Sequence, residues 1–470
     1  MKRRTAVRQC DVIVVGAGPA GMAAAATAAE AGLQVALLDE QPRAGGQIYR
    51  DVDRVAALRG GILGKDYTEG RALTAAIRRD GIEHLDGAVV WAIEDGFCVS
   101  YTRAGQAAQV SAPKVILATG ALERPMPLPG WTLPGVMTAG AGQILLKQSG
   151  LLARRAVLVG TGPLLYLIAA QMVRAGTPPV ALVETQTRAD LMRANRHLGG
   201  ALRGWPYLAK GLAMLAELMR ARVPRYTGAT TIAIAGDGRA EAVTFRSGGK
   251  PRTVACDTVF LHHGVVPNTQ AARSVGVPHR WDAAQHCFNP VVDAWGGTAV
   301  AGVFLAGDGA GIGGAKVAET AGRIAALKVA EELGRLSADE RDRRAAPLNR
   351  LRSRQTAIRP FLDAAYPPFA EALAPADATL VCRCEEVTAG EIRGYAKLGC
   401  IGPNQTKAFG RAGMGPCQGR YCGLTVTALL AEATGQTPDE TGYYRIRPPL
   451  KPVTLGELAA MDDGARDAAE

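Results

Sequence analysis

"CDVIVVGAGPAGMAAAATAAEAGLQVALLDE" (Cys10 to Glu40) sets the architecture of this chain. Asp11 to Val15 read as a strand, Gly16-x-Gly18-x-x-Gly21 as a turn, the small residues that follow as a helix, and "QVALLD" as a second strand ending at Asp39. Each glycine has its own task. Gly16 permits the tight turn, Gly18 lets backbone approach a pyrophosphate, and Gly21 allows close packing of helix on strand. The helix N-terminus then faces the phosphates. Asp39 stands 23 residues after Gly16, where a carboxylate accepts hydrogen bonds from a ribose. A glycine motif alone is weak; with both strands and the terminal acid it reads as a dinucleotide site.

The rest of the chain is long enough for roughly two to four domains. It has 470 residues, 48% hydrophobic and 21% charged, with 57 glycines, which excludes a mostly disordered chain. The net charge of +11 is scattered. Its densest run, "ERDRRAAPLNRLRSRQ" (Glu340 to Gln355), mixes acids with bases and holds no aromatics, unlike a nucleic-acid groove. It reads as a solvated helical connector, with a docking surface for an acidic partner as the alternative. "MKRR" ahead of the first apolar run imitates a signal peptide, but the glycine spacing fits strand, turn and helix, and no cleavage-site pattern follows. No segment reads as a membrane span. A cytoplasmic location is expected, where nine cysteines serve as thiols or metal ligands rather than disulfides.

Two later segments say which dinucleotide the first site takes. "KVILATGA" (Lys114 to Ala121) is a strand ending in Ala-Thr-Gly, and "GVFLAGDGAGIGGAKVAETAGRIAA" (Gly302 to Ala326) is a strand ending at Gly307-Asp308 with a helix behind it. With "RAGGQIY" (Arg43 to Tyr49), this set resembles the flavoproteins with two dinucleotide-binding domains, among them thioredoxin reductase and glutathione reductase. The resemblance covers about residues 10 to 335 and implies FAD. It would be held by the turn Gly16, Ala17, Gly18, Pro19, Ala20 and Gly21 and by Asp39, Glu40 and Gln41. Gly46 and Gln47 would lie beside the flavin ring and Asp308 on the ribityl chain, with Ala118, Thr119, Gly120, Arg124 and Gly307 as further cofactor-binding residues.

A second strand-turn-helix-strand, "RRAVLVGTGPLLYLIAAQMVRAGTPPVALVE", lies inside the first domain's sequence. Gly160 and Gly162 are kept, Leu165 replaces the third glycine, and Glu184 ends the strand 24 residues after Gly160. In the family this domain binds a nicotinamide cofactor. Glu184 favours an adenosine with a free 2'-hydroxyl, whereas Leu165 pushes the helix off the turn. A working NAD or adenine-nucleotide site and a retained structural fold both stay open. His262 and His263 in "HHGVVPNT" read as packing residues. "PGWTLPGVMTAGAGQ" (Pro129 to Gln143) occupies the place of thioredoxin reductase's redox cysteine pair and has no cysteine, which argues against a thiol-disulfide relay.

Four cysteines remain: Cys382-x-Cys384, thirty-two residues, then Cys417-x4-Cys422. Four thiolates suit zinc, an iron-sulfur cluster, or free thiols. The segment resembles the bacterioferritin-associated ferredoxin domain, a small helical 2Fe-2S module, in the form fused to flavoprotein dehydrogenases. Cys400 lies between the pairs and is not expected to ligate.

The first site together with "CRCEEVTAGEI", "GPNQTKAFGRAGMGPCQGRYCG" and "YYRIRPPLKPV" is similar to the A (alpha) subunits of opine oxidases, D-hydroxyproline dehydrogenases and hydrogen cyanide synthase. The resemblance implies a β subunit similar to D-amino-acid oxidases that oxidises the C–N bond, a small ferredoxin-like γ subunit, and an alpha chain that carries electrons away. It nominates no catalytic side chain here and admits FMN at a subunit interface and peripheral contact with a membrane. The alternatives are an autonomous NADH-dependent FAD and iron-sulfur oxidoreductase and a redox-sensing scaffold.

The expected architecture is α/β, with two Rossmann-like dinucleotide-binding domains, one inserted in the other, and a small C-terminal helical 2Fe-2S domain. The FAD domain takes 1–150 and 287–340, the inserted domain 151–286, a connector 341–376 and the cluster module 377–436. Residues 437–470 form the tail, and the three prolines of its "RIRPPLKPVTLGELAAMDD" predict an extended segment lying over a neighbour rather than entering a core.

Overall fold

The structure is a computed structural model that describes residues 7–459 and Met461. The opening "MKRR" and residues 462–470 lie outside the described residues.

Four-residue apolar runs such as Val12–Val15, buried on both faces, make a parallel sheet. Five strands align in the order Val303–Leu305, Lys114–Leu117, Val12–Val15, Val35–Asp39, Ile82–Asp86, every pair parallel. Pro19 at the first turn of helix Pro19–Glu30 gives up no useful donor, and the alanines behind it let helix Ala315–Glu332 come close. A Cβ on Gly322 would stand 2.0 Å from the Ala20 carbonyl oxygen.

The inserted domain repeats the plan. Its parallel sheet runs Val136–Thr138, Thr258–His262, Ala156–Gly160, Ala181–Glu184, Arg225–Tyr226. Val136–Thr138 therefore joins the second sheet, ahead of the boundary expected at 151. A three-stranded antiparallel sheet, Thr230–Ala235, Ala242–Ser247 and Lys250–Ala255, completes this domain.

Two expectations change beyond residue 340. The basic connector begins as the solvated helix Ala338–Thr356, but Ile358, Ala365, Phe369 and Ala372 behind it are buried, so its second half is docked. The tail also enters a core. Tyr444, Ile446 and Leu450 share one apolar cluster with Val381, Ile392 and Leu429 of the C-terminal module and with Ile13 and Leu117 of the first sheet. Prolines 448, 449 and 452 keep the backbone extended, but its alternate side chains are apolar enough to be buried. Trp131 Nε1 donates to the Leu380 carbonyl at 2.8 Å, and Arg383 lies 5.3 Å over the Trp131 ring, tying the module to the segment before the inserted domain.

Candidate cofactor sites

At the first turn Gly16 has φ +106°, and a Cβ there would lie 2.4 Å from the Ala118 carbonyl oxygen. A Cβ on Gly21 would lie 1.7 Å from the Gly16 oxygen. These two glycines are required by the fold itself. Gly18 differs: its Cβ would meet only the Gly46 Cα, at 3.8 Å. Gly18 and Gly46 thus form an open backbone cradle before the N-terminus of helix Pro19–Glu30.

Two carboxylates border that cradle. Asp39 accepts from the Ala17 N–H at 2.6 Å and the Gln41 N–H at 2.8 Å, and remains half-buried; burial raises its pKa. One lone pair on each oxygen stays free. Asp308 accepts from the Gly313 and Gly314 N–H groups through Oδ1 alone, at 2.9 and 2.8 Å, which leaves Oδ2 free. Gln47 is exposed and its backbone carbonyl accepts from Lys147 Nζ at 2.9 Å, while its side-chain oxygen accepts from Arg50 at 3.1 Å. That bond turns the Gln47 amide nitrogen outward as a donor. A glycine cradle, two acids with spare acceptors and a fixed amide donor fit FAD.

Other candidates have different work. Glu40 pairs with Lys451 of the tail at 2.7 Å. Arg124 is 4% exposed and donates to the Gln285 and His286 carbonyls at 2.6 and 2.9 Å, with Nε enclosed. Its guanidinium pins a loop and does not reach into the cradle, contrary to its place among the expected cofactor ligands. Burial lowers its pKa to about 10.

The second site is filled by protein. Glu184 is 0% exposed. Arg225 donates to both its oxygens at 2.8 Å, Tyr166 to Oε1 at 2.5 Å and Gln186 to Oε1 at 2.7 Å. Strand register brings this about, since Leu182 pairs with Arg225. Leu165 is buried, and Tyr366 of the connector stands edge-on to Tyr166 with ring centroids 6.1 Å apart. Oε1 is filled by three donors, and Oε2, held by Arg225, is enclosed with the rest of the side chain, so no ribose reaches Glu184 and the residues present do not fit NAD. His262 and His263 are buried, as expected of packing residues; His262 pairs with Glu123 at 2.7 Å, and His263 contacts the Pro125 carbonyl at 2.7 Å while accepting from the Phe369 N–H at 3.2 Å.

Among the described residues no three His, Cys, Asp or Glu side chains converge on one point. The four cysteine sulfurs instead come in two pairs, Cys382 with Cys422 and Cys384 with Cys417. The hydrogen bond from Cys422, with backbone N–H groups of Gly413, Glu385 and Cys384, lowers the Cys382 pKa to about 6. The first pair is buried; Cys384 is exposed and Cys417 half-buried. A Cβ on Gly415 would lie 2.2 Å from the Cys384 Cβ, which is why a glycine closes this loop. Cys400 is buried and turns to the Gly402 carbonyl at 3.4 Å, away from the pairs.

The two sites are physically joined. Asn268 N–H donates to the Gly120 carbonyl at 2.9 Å, and Thr119 Oγ1 donates to the Asn268 carbonyl at 3.0 Å. Two residues on, Gln270 Nε2 donates to the Gln418 carbonyl at 3.0 Å, beside Cys417. Asn268 lies in the quoted "HHGVVPNT", but no motif marked Gln270, Lys147 or Arg225; their importance lies in partners far away in sequence.

A model of the family described as pyridine nucleotide-disulphide oxidoreductase matches residues 10–332. The chain belongs to that family. Such an assignment makes it a flavin oxidoreductase, as the open first cradle indicates. A second family model, the sarcosine oxidase A3 domain, matches residues 377–462, so it spans the cysteine module and the buried tail together. The chain is 44% identical over 466 residues to the A subunit of opine oxidase from Rhizobium meliloti, covering 97% of this chain and 88% of that protein. It is 33% identical to hydrogen cyanide synthase subunit HcnB of Pseudomonas aeruginosa, covering 94% and 96%. Among solved structures, L-proline dehydrogenase from P. horikoshii superposes with a TM-score of 0.71 at 17% identity, covering 97% of this chain and 81% of that one, which is a likeness of fold. Membership of the pyridine nucleotide-disulphide oxidoreductase family coexists here with a nucleotide domain whose acid is spent internally. No helix among the described residues is long and apolar enough to cross a membrane.

Proposed function

We propose that this chain is the FAD- and 2Fe-2S-bearing electron-transfer subunit of a heteromeric, cytoplasmic dehydrogenase of opines or related secondary amino acids. Its partner, a β subunit of the D-amino-acid-oxidase type, oxidises the C–N bond, with a small ferredoxin-like γ subunit beside it and FMN at an interface. The observation that carries the reading is the Thr119–Asn268–Gln270–Gln418 chain, which bonds the FAD cradle to the cysteine loop. The subunit names of the similar proteins support it.

Bound FAD and a bound cluster supply the redox capacity; the chain supplies position. Asp39 and Asp308 offer acceptors to sugar hydroxyls, Gly18 and Gly46 admit a pyrophosphate, and Arg50 and Lys147 hold Gln47 in place. Two sulfur pairs fit a cluster in which each iron takes two thiolates, and N–H groups aimed at Cys382 stabilise negative sulfur. Against the NADH-dependent alternative stands a Glu184 that is enclosed and paired with Arg225.

The test is anaerobic absorption of the chain alone and with its partner, titrated with NADH and then with opines, hydroxyproline isomers and glycine. Bleaching of the flavin band by an amine, with the partner present, is expected. Rapid bleaching of the lone chain by NADH would sink the proposal.

A further inference from the structure

The buried tail, the strand pair His279–Asp282 and Cys287–Pro290, and helix Gln270–Ser274 border a solvent-open cavity of about 290 Å³ that belongs to neither cofactor site. A single bridging water needs only roughly 15 Å³, and small-ligand pockets begin near roughly 300 Å³, so this space is of ligand size. Its charged and ionisable groups are Arg273, His279, Asp439 and Arg445, set beside the rings of Phe288 and Tyr443.

Arg273 carries an uncompensated charge. Its guanidinium carbon lies 4.4 Å from the Tyr443 ring centroid and 5.0 Å from that of Phe288, so two rings stabilise the cation. They offer its N–H groups no oxygen. Nε donates to Thr269 Oγ1 at 3.1 Å, but Nη2 is enclosed without an acceptor. Neither Arg273 nor the exposed Arg445 has a carboxylate within ion-pair distance among the described residues.

His279 has the opposite need. Its Nδ1 lies 2.8 Å from the Val277 carbonyl and donates there, since that oxygen only accepts. Burial, and then Arg273, hold its pKa down at about 3, so the ring is neutral and Nε2 presents a lone pair. That atom is also enclosed and unpartnered. Asp439 accepts from the Trp281 N–H through Oδ1 at 2.7 Å and has no cation partner among the described residues, which leaves Oδ2 for a donor.

One cavity thus lacks an acceptor at Arg273 and a donor at His279, and a buried polar group left unpaired is destabilising. A bare oxyanion satisfies the first and is repelled by the His279 lone pair and by Asp439. A carboxylate joined to a cationic N–H group satisfies both. We propose that this cavity binds an amino acid or an N-substituted amino acid, its carboxylate on Arg273 and its cationic N–H group toward His279 Nε2 and Asp439. A second acidic group on the ligand has Arg445 as its counter-ion. None of these residues holds flavin or sulfur, so the site does not rest on the redox reading. Tyr444, also on the cavity wall, has its hydroxyl 4.0 Å from Cys422 Sγ, which puts the cavity one side chain from the cysteine loop.

Anaerobic isothermal titration of the full chain with L-glutamate, iminodiacetate, glutarate and inorganic phosphate tests the proposal. The heat is read without any reduction of flavin, so its outcome is separate from that of the amine-reduction experiment. L-glutamate stands for a free amino acid and iminodiacetate for a secondary amine with two carboxylates; saturable binding of at least one at millimolar concentration is expected, and the tighter one names the source. Glutarate keeps both carboxylates of L-glutamate without the amine, and should bind about tenfold more weakly or worse, the loss of a charge-assisted hydrogen bond. Asp439→Asn keeps an acceptor for Trp281, so melting temperature and flavin content should hold. Its affinity for the amine probes should fall about tenfold, while that for glutarate does not fall. Arg273→Gln should abolish binding; if it lowers the melting temperature, Arg445→Gln, at an exposed position, takes its place and should weaken both amine probes. No heat from any probe overturns the proposal. Phosphate or glutarate binding as tightly as L-glutamate and iminodiacetate also overturns it, since the cleft then takes any anion, as does unchanged affinity for the amine probes in Asp439→Asn.

Discussion

Arg225 grips Glu184 along both edges, Nε to Oε2 and Nη2 to Oε1, each at 2.8 Å. The acid is fully enclosed and the arginine 26% exposed. Removing the arginine strands a buried carboxylate, so Arg225→Ala should lower unfolding free energy by about 3 kcal/mol, the lower end for breaking a buried pair because water can reach part of it. Urea unfolding measures this. The same geometry predicts that isothermal titration finds no binding of NAD⁺ to the wild-type chain at concentrations where thioredoxin-reductase-type sites saturate; tight binding would show that the pair opens.

Gly18 and Gly21 should separate binding from folding. Alanine at Gly21 forces its Cβ to 1.7 Å from the Gly16 oxygen, and the chain should lose about 3 kcal/mol or fail to fold. Alanine at Gly18 meets only the Gly46 Cα at 3.8 Å, so the protein should fold, while the new methyl projects where a pyrophosphate must approach. Its FAD affinity should fall roughly ten- to a hundredfold, equivalent to about 1–3 kcal/mol of overpacking. Flavin retained per chain after dialysis, together with the thermal melt, reads both effects. Equal flavin retention in Gly18→Ala and wild type would contradict the cradle.

The Cys384 and Cys400 thiols make a matched pair for testing the cluster. Cys384→Ser and Cys422→Ser should remove essentially all iron and visible absorbance beyond the flavin, whereas Cys400→Ser, whose sulfur turns to the Gly402 carbonyl, should keep both. Iron analysis after anaerobic purification decides. Stoichiometric zinc in place of iron in the wild type would overturn the cluster and leave the FAD site untouched.

Lys147 is buried without a carboxylate, between the Gln47 carbonyl and Gln143 Oε1, both at 2.9 Å. Burial, and then the nearby Arg50, lower its pKa to about 7. An unfolded lysine keeps its proton to about pH 10. Between those values the unfolded chain binds more protons, so Lys147 makes stability rise with pH across that window, with its full penalty below it. Lys147→Met should flatten the rise, although it loses two hydrogen bonds. Chemical unfolding at several pH values across the window compares the slopes; parallel curves for the two proteins would refute the assignment.

Much of this was legible in the order of residues. Strand, turn and helix at Cys10 to Glu40 obey local rules: apolar runs for buried parallel strands, glycines where backbone must approach, and an acid at a strand end. The same rules led to an error at Glu184. It stands at the right distance from Gly160, as Asp39 does from Gly16, and spacing cannot tell one from the other. Arg124 misled similarly, since its partners at Gln285 and His286 are more than 150 positions away.

Residue order was enough for the two dinucleotide folds and the open first turn, because each is written within one short unit of chain. Which acid stays open to a ligand was settled only by the packing of distant elements. Asp39 bonds two backbone N–H groups and stays half-buried, whereas a neighbouring strand lays Arg225 over Glu184 from 41 residues away. The same packing drew the proline-rich tail into the core and set Lys147 beneath Gln47, 100 residues distant. Burial and the filling of lone pairs depend on which elements become neighbours, and that is a property of the assembled sheets rather than of any one stretch.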